Sequence, residues 1–267
     1  MSKTIAIAGL GWLGMPLARK LMMQGYLVKG SVTSVEKATT LQAKGIDAYA
    51  VDITEEGLEG ASKGLLKNAD ILIIMIPPGL RRNSGSNYLL KMSHFLGEVK
   101  ASEVHEVIFI SSTSVYGDAQ GVVTERDLPT PENDAGRQLF QTEQLFFNAP
   151  GLQTSIVRFG GLIGGTRQPV KYLAGRKDLS GGNAPVNLIH RDDCIGVISE
   201  IIKQEQLGKI FNAVHPSHPL KKTYYTAKAE TLGLETPTFS EDTEVSYKQV
   251  DSVNVKLVLG YTFKNEL

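Results

Sequence analysis

The chain of 267 residues is poor in sulfur, in net charge and in long apolar runs. Its single cysteine, Cys194, excludes an intramolecular disulfide framework and any multi-thiolate metal site, and fits a reducing compartment. The 28 basic residues are matched by 28 acidic ones, so no broad field grips nucleic acid or an anionic membrane. No apolar stretch approaches the roughly 20 residues that span a bilayer, and the opening MSKTIAIAGLGWLG is broken by glycine almost at once. Neither a membrane span nor a targeting segment is read there, and a cytoplasmic protein is expected. Tandem repeats and low-complexity blocks are also missing. One absence is local: Glu36 is the first acidic residue, so the opening segment carries no carboxylate.

What is present is ordinary globular material. Apolar residues make up 42% of the chain, enough at this length for a sizeable core, and the 27 glycines sit mainly where apolar runs end. Thr4 to Ala8 form a β-like run, followed by Gly9, Gly11 and Gly14, then by Pro16 and a helix-compatible stretch up to Gly25. A second strand is read at Leu27 to Val32, a weak helix around Val35 to Lys44 and a third strand at Asp47 to Val51, which gives a βαβαβ alternation. The run DILIIMIPP, Asp70 to Pro78, is almost purely apolar before its prolines and suits a central parallel strand covered on both faces. EVIFISSTSVYG, from Glu106, reads the same way, its hydroxyl residues beginning where the strand should end. Further on, Leu139, Phe140, Leu145 and Phe146 can bury one face of a helix. A strand from Thr154, a helix at Cys194 to Gln204, a strand at Lys209 to Val214 and a helix at Leu220 to Leu232 complete an α/β pattern.

The strongest chemical signal is Gly9-Leu10-Gly11-Trp12-Leu13-Gly14, set between a strand and a helix. This spacing permits a tight turn, lets backbone approach a pyrophosphate and points helix N-terminal amides at its negative charge. A dinucleotide site is expected at Gly9, Gly11, Trp12, Leu13 and Gly14; the competing reading is a structural turn, with Trp12 either covering the cofactor or packing. The ribose carboxylate that usually follows about 20 residues beyond the motif is missing. Ser31, Thr33 and Ser34 can instead donate to a 2'-phosphate, with Lys37 as counter-ion, against a reading as solvated loop. The expected cofactor is NADP or NAD, with NADP preferred. Asp52, past the third strand, is placed to accept from an adenine amino group or to begin a helix. Pro77, where the Asp70 to Pro78 run ends, joins the cofactor-binding set.

Taken together, GLGWLG, DILIIMIPP, SSTSVYG at Ser111 to Gly117, TERDLPTP, RFGGLIG at Arg158 to Gly164 and LIHRDD at Leu188 to Asp193 resemble the extended short-chain dehydrogenase/reductase family, in its NAD-dependent epimerase/dehydratase branch. The resemblance covers nearly the whole chain. It implies an α/β, Rossmann-like doubly wound parallel sheet with a smaller C-terminal substrate lobe: an NAD(P)-binding core at 1–160 and, at 161–267, a mixed region of returning core elements and lobe. It implies a catalytic hydroxyl at Ser112, with Thr113 and Ser114 beside it, whose alternative is to cap the strand and turn. It also implies a Tyr-x-x-x-Lys pair on the next helix, and there the match fails. With Gly136 and Glu143 fixing the register, Ala135 stands where the tyrosine belongs and Leu139 where the lysine belongs, an atypical pattern that can neither relay a proton nor lower a pKa. Tyr116 is a substitute proton donor by position, and Tyr224 with Lys228 repeats the spacing on a later helix.

The remaining candidates have plainer readings. His190 and the carboxylates Asp192 and Asp193 suit a strand end and a helix cap better than a metal site. His215 and His218 lack a zinc-like spacing, so no metal is expected. Cys194 is read as packing on its helix. Arg158 and Arg167 can meet an anionic substrate or form salt bridges. The expected activity is that of an oxidoreductase or epimerase acting on a small-molecule substrate, nucleotide-linked or a simple carbonyl or hydroxyl compound. The alternative is a catalytically inactive NAD(P)-binding sensor or protein-interaction module. No nucleic acid or membrane partner is expected. A homodimer through Phe140, Phe146 and Phe147 competes with core packing of the same rings.

Overall fold

The computed structural model describes residues 2–79, 85–241 and 246–267. Its strands are β1 (Thr4–Ala8), β2 (Leu27–Val32), β3 (Asp47–Ile53), β4 (Leu58–Gly60), β5 (Ile71–Ile74), β6 (Glu106–Ser112), β7 (Gly121–Val123), β8 (Gln153–Phe159), β9 (Gly161–Ile163), β10 (Leu188–His190), β11 (Ile210–Ala213) and β12 (Lys248–Val250). The helices are α1 (Gly14–Met23), α2 (Val35–Gln42), α3 (Ser62–Leu66), α4 (Tyr88–Lys100), α5 (Asp134–Phe147), α6 (Arg191–Lys203), α7 (Lys221–Thr231) and α8 (Val253–Leu257).

Eight strands form one sheet in the order β11-β8-β6-β5-β1-β2-β3-β4. β1 pairs in parallel with β2 and β5, β2 with β3 and β5 with β6, whereas β4 is added antiparallel at the β3 edge. This is the Rossmann-like doubly wound arrangement, and the order of strands reverses between β1 and β5. At such a reversal the connections leave to opposite sides and open a crevice beyond the carboxyl ends of the strands. Every residue of β5 is fully buried, as its unbroken apolar run requires when helices cover both faces.

The chain forms two compact units. Unit 1 comprises Met1–Ser111, Asn133–Val157 and Ile198–Ile210. Its core joins β1 and β5 with the buried faces of α1, α4 and α5, and Phe109 stacks on Phe146 at 5.4 Å. Phe146 is thus a core ring rather than part of a surface patch, while Phe140 and Phe147 are half-buried. Unit 2 comprises Ser112–Glu132, Arg158–Val197 and Phe211–Leu267. It contains two small parallel pairings, β9 with β10 and β7 with β12, and an apolar cluster of Ile163, Val186 and Leu188 packed by Tyr224, Tyr225 and Leu267.

Two of the boundaries that differ from the sequence reading bear on singled-out residues. β3 runs on to Ile53, so Asp52 lies inside a strand opposite Glu59 and begins no helix. α6 starts at Arg191, which places Asp192 and Asp193 in its first turn instead of at its cap. The capping acceptor is His190, whose Nδ1 takes the Asp192 amide at 3.2 Å. Among the described residues, no helix is long and apolar enough to cross a membrane.

Candidate functional site

β1 delivers the chain into the glycine turn at the point where strand order reverses. Gly9 has φ +113°, a conformation that side-chain-bearing residues rarely adopt. Its backbone abuts the residue that follows β5: a Cβ on Gly9 would stand 3.1 Å from Met75 O, and Met75 N–H donates to O of the preceding Ala8 at 2.9 Å. A Cβ on Gly14 would collide with the carbonyl oxygen of Gly9, so the third glycine lets α1 start hard against the turn. Gly11 differs, because a Cβ there would meet no protein atom within 4 Å. No neighbouring protein atom excludes a side chain at that position, whereas a ligand lying on the backbone would.

The start of α1 is equally open. Leu13 occupies the N-cap position with no side-chain hydrogen bond, and no acidic residue stands in the first turn. No side chain caps the first turn, in which Met15 N donates to Gly11 O at 3.0 Å and Pro16 has no amide; this end of α1 carries the positive end of the helix dipole. Trp12 is half-buried beside it. Exposed Pro77 follows β5 on the other side of the strand reversal. These features fit the pyrophosphate of a dinucleotide.

At the end of β2 the three candidate hydroxyls separate. Ser31 is buried and its Oγ accepts from Gly9 N at 3.1 Å. Ser34 N-caps α2, accepting from Lys37 N at 3.3 Å. Thr33 is exposed, as are Lys37 and, within β3, Asp52. Two of the three serine and threonine side chains thus serve the fold, while Thr33 and the Lys37 ammonium face solvent.

On α5, Ala135 is half-buried and Leu139 is packed into the core. Between them Gln138 accepts from the Tyr88 amide at 2.7 Å and donates to Asp134 at 2.7 Å, which ties α5 to the start of α4. One turn further on, fully buried Glu143 accepts from Ser111 Oγ at 2.5 Å. Tyr88 is also buried, donates to Ile76 O at 2.8 Å, and has its pKa pushed far up by that burial. Sequence reasoning missed both Tyr88 and the Ser111–Glu143 pair. The available signals were Asn87 before an apolar helical run and a lone glutamate on the apolar face of α5.

In unit 2, Ser112 Oγ accepts from Ser114 N at 3.2 Å and caps a single helical turn over Thr113–Val115. Tyr116 is buried. Its hydroxyl accepts from Arg158 Nη1 at 2.8 Å, and its one proton faces Thr124 O at 2.9 Å and Asn212 Oδ1 at 3.1 Å. Burial raises its pKa against the opposing charge of Arg158. Lys248 grips the other side of the same residue, donating to Tyr116 O at 2.6 Å and pairing with Asp118 at 2.9 Å. Glu125 accepts the amides of Asn212, Asn254 and Val253 at 2.9, 3.0 and 3.2 Å; burial outweighs these bonds and pushes its pKa up.

The other singled-out residues also hold structure together. Asp193 accepts from Tyr261 Oη, Lys264 N and Asn265 Nδ2 at 2.8, 2.8 and 2.9 Å, which docks the tail within unit 2. Cys194 is fully buried and its thiol is held well above its usual pKa by that burial. Lys228 lies 5.8 Å above the Tyr224 ring, and burial pushes Tyr224 up to about 12, the reverse of activation. No group of three or more His, Cys, Asp or Glu among the described residues could hold a metal ion.

Residues 4–123 match the family model of the NAD binding domain of 6-phosphogluconate dehydrogenase. Over 266 residues the chain is 36% identical to Protein YeeZ of Escherichia coli strain K12, covering 99% of this chain and 94% of the relative. The chain belongs to the YeeZ family. Its fold is shared with members of the NAD-dependent epimerase/dehydratase group. UDP-glucuronic acid 4-epimerase from Bacillus cereus in complex with NAD superposes with a TM-score of 0.79 at 17% identity, covering 98% of this chain and 92% of that one. MoeE5 in complex with UDP-glucose and NAD gives 0.78 at 19% identity, with 100% and 95% covered.

Proposed function

We propose that unit 1 binds NAD(P) along Gly9–Gly14, with NADP ahead of NAD. The protein then serves redox or epimerisation chemistry on a nucleotide-linked sugar or a small carbonyl or hydroxyl compound. The observation that carries the binding claim is the pairing of an unobstructed Gly11 with an uncapped α1 N-terminus at the strand reversal. Solved structures of this fold with NAD, UDP-glucose and UDP-glucuronic acid support the ligand classes. The NADP preference rests on the carboxylate-free end of β2 and on exposed Thr33 and Lys37. Ser112 is proposed to touch substrate, since a serine hydroxyl retains donor and acceptor capacity beyond its cap. Tyr116 is assigned to structure, because buried partners occupy its hydroxyl. The single buried cysteine agrees with a cytoplasmic setting.

A second reading is favoured by Ala135 and Leu139: a dinucleotide-binding sensor or interaction module without hydride transfer. The test is to incubate the protein with NADP(H) and NAD(H) and a panel of UDP-sugars and simple aldehydes, following reduced-cofactor absorbance and epimeric products. Turnover that Ser112→Ala abolishes supports the first reading. Bound dinucleotide without turnover anywhere in the panel selects the second, and absence of dinucleotide binding overturns both.

A further inference from the structure

We infer that Ser31 is a positioning residue that sets the dinucleotide turn through Gly9 and itself contacts no ligand. The inference rests on the reading of Gly9–Gly14 as the cofactor site. β2 lies alongside β1 in a register that ends at Ile7 opposite Gly30, so the next residue, Ser31, stands beside the first residues of the turn. Gly30 gives that turn room, because a Cβ there would collide with the side chain of Leu10. Ser31 then fastens two consecutive peptides: its carbonyl accepts from Leu10 N at 2.7 Å and its Oγ from Gly9 N at 3.1 Å.

The side-chain bond is the informative one. At φ +113° the Gly9 amide points to a hydroxyl on the neighbouring strand. With Ser31 only 5% exposed, an apolar residue there would leave the amide facing a non-accepting side chain. The orientation of the first peptide of the turn passes on to the amides of Gly11 through Gly14, which would meet a pyrophosphate. Ser31 therefore acts on the part of the ligand that NAD and NADP share. Discrimination by the 2'-phosphate falls to Thr33 and Lys37.

The experiment titrates NAD+ and NADP+ into wild type, Ser31→Ala and Ser31→Thr, records thermal unfolding, and follows exchange of the Gly9 amide by NMR. Loss of one buried neutral hydrogen bond corresponds to about threefold to tenfold in an equilibrium constant. Ser31→Ala is expected to stay folded, to exchange the Gly9 amide faster, and to lose affinity for both dinucleotides by the same factor. Ser31→Thr keeps the hydroxyl and is expected to retain affinity. A loss confined to NADP+ would make Ser31 a phosphate ligand and overturn the inference. Unchanged affinities with unchanged Gly9 exchange would overturn it too. If wild type binds neither dinucleotide while Gly9 exchange still responds to Ser31→Ala, the turn fastening stands and the cofactor reading fails.

Discussion

A methyl group added at Gly14 collides with the Gly9 carbonyl, whereas one added at Gly11 meets no protein atom within 4 Å. The two substitutions should therefore part company. Gly14→Ala is expected to lower stability by about 1–3 kcal/mol through overpacking against backbone, visible as a fall in Tm. Gly11→Ala should leave Tm essentially where it is. Equal losses at both sites would contradict the geometry. His215 confers a pH dependence. His215 is partly desolvated, its Nδ1 accepts from Ser217 N at 3.1 Å, and burial lowers its pKa. A lowered folded value means that the neutral form contributes stability above the ordinary histidine pKa of about 6.5. That contribution is lost as pH falls through the lower, folded value. His215→Asn keeps an acceptor for Ser217 without the titration, so thermal melts across this window should show a shallower loss on acidification than wild type. Parallel curves would exclude His215 as a source of acid sensitivity.

Elements were legible where composition and packing agree. β5 announces itself because four consecutive aliphatic residues have no polar face to show water, and all four are buried. α1 and β2 were readable from glycine punctuation and periodicity. Asp52 was misplaced because a charged residue reads as a strand end, although an edge hairpin with β4 accommodates it in solvent. The start of α6 was read late because its cap is a histidine, which propensity does not favour there. The glycine run was legible as a tight turn, and the structure has Gly9 at φ +113° with Gly14 packed against the Gly9 carbonyl. The commitments of Ser31 and Tyr116 were not, since those hydroxyls are satisfied by groups brought near only on folding, whereas Ser34 bonds Lys37 N three residues on, a helix cap the sequence reading did not weigh. The link between β6 and α5 follows the same logic and can be tested. Ser111→Ala removes a donor to a fully buried carboxylate, and the expected cost is about 1.5–3 kcal/mol in chemical denaturation. A cost near zero would mean that Glu143 is sustained without Ser111.

At the scale of the whole molecule the chain passes back and forth between its units, and composition marks none of the passages. Unit 1 takes its last segment from Ile198–Ile210, where Ile198, Ile201, Ile202 and Leu207 are all buried. A fragment ending at residue 160 lacks these side chains, and it is expected to show no cooperative thermal transition by circular dichroism. A sharp, reversible melt would mean that the unit is complete without them. Whether the Gly9–Gly14 turn receives a dinucleotide is decided by isothermal titration. NADP+ and NAD+ are titrated into wild type and Gly11→Asp, with melting curves to establish that both are folded. Wild type is expected to bind both, NADP+ at least as tightly as NAD+, with a clear loss in Gly11→Asp at unchanged Tm, because the aspartate sets negative charge and bulk against the pyrophosphate. Absence of heat and of thermal stabilisation with both dinucleotides, or undiminished affinity in the folded variant, would contradict dinucleotide binding at this turn.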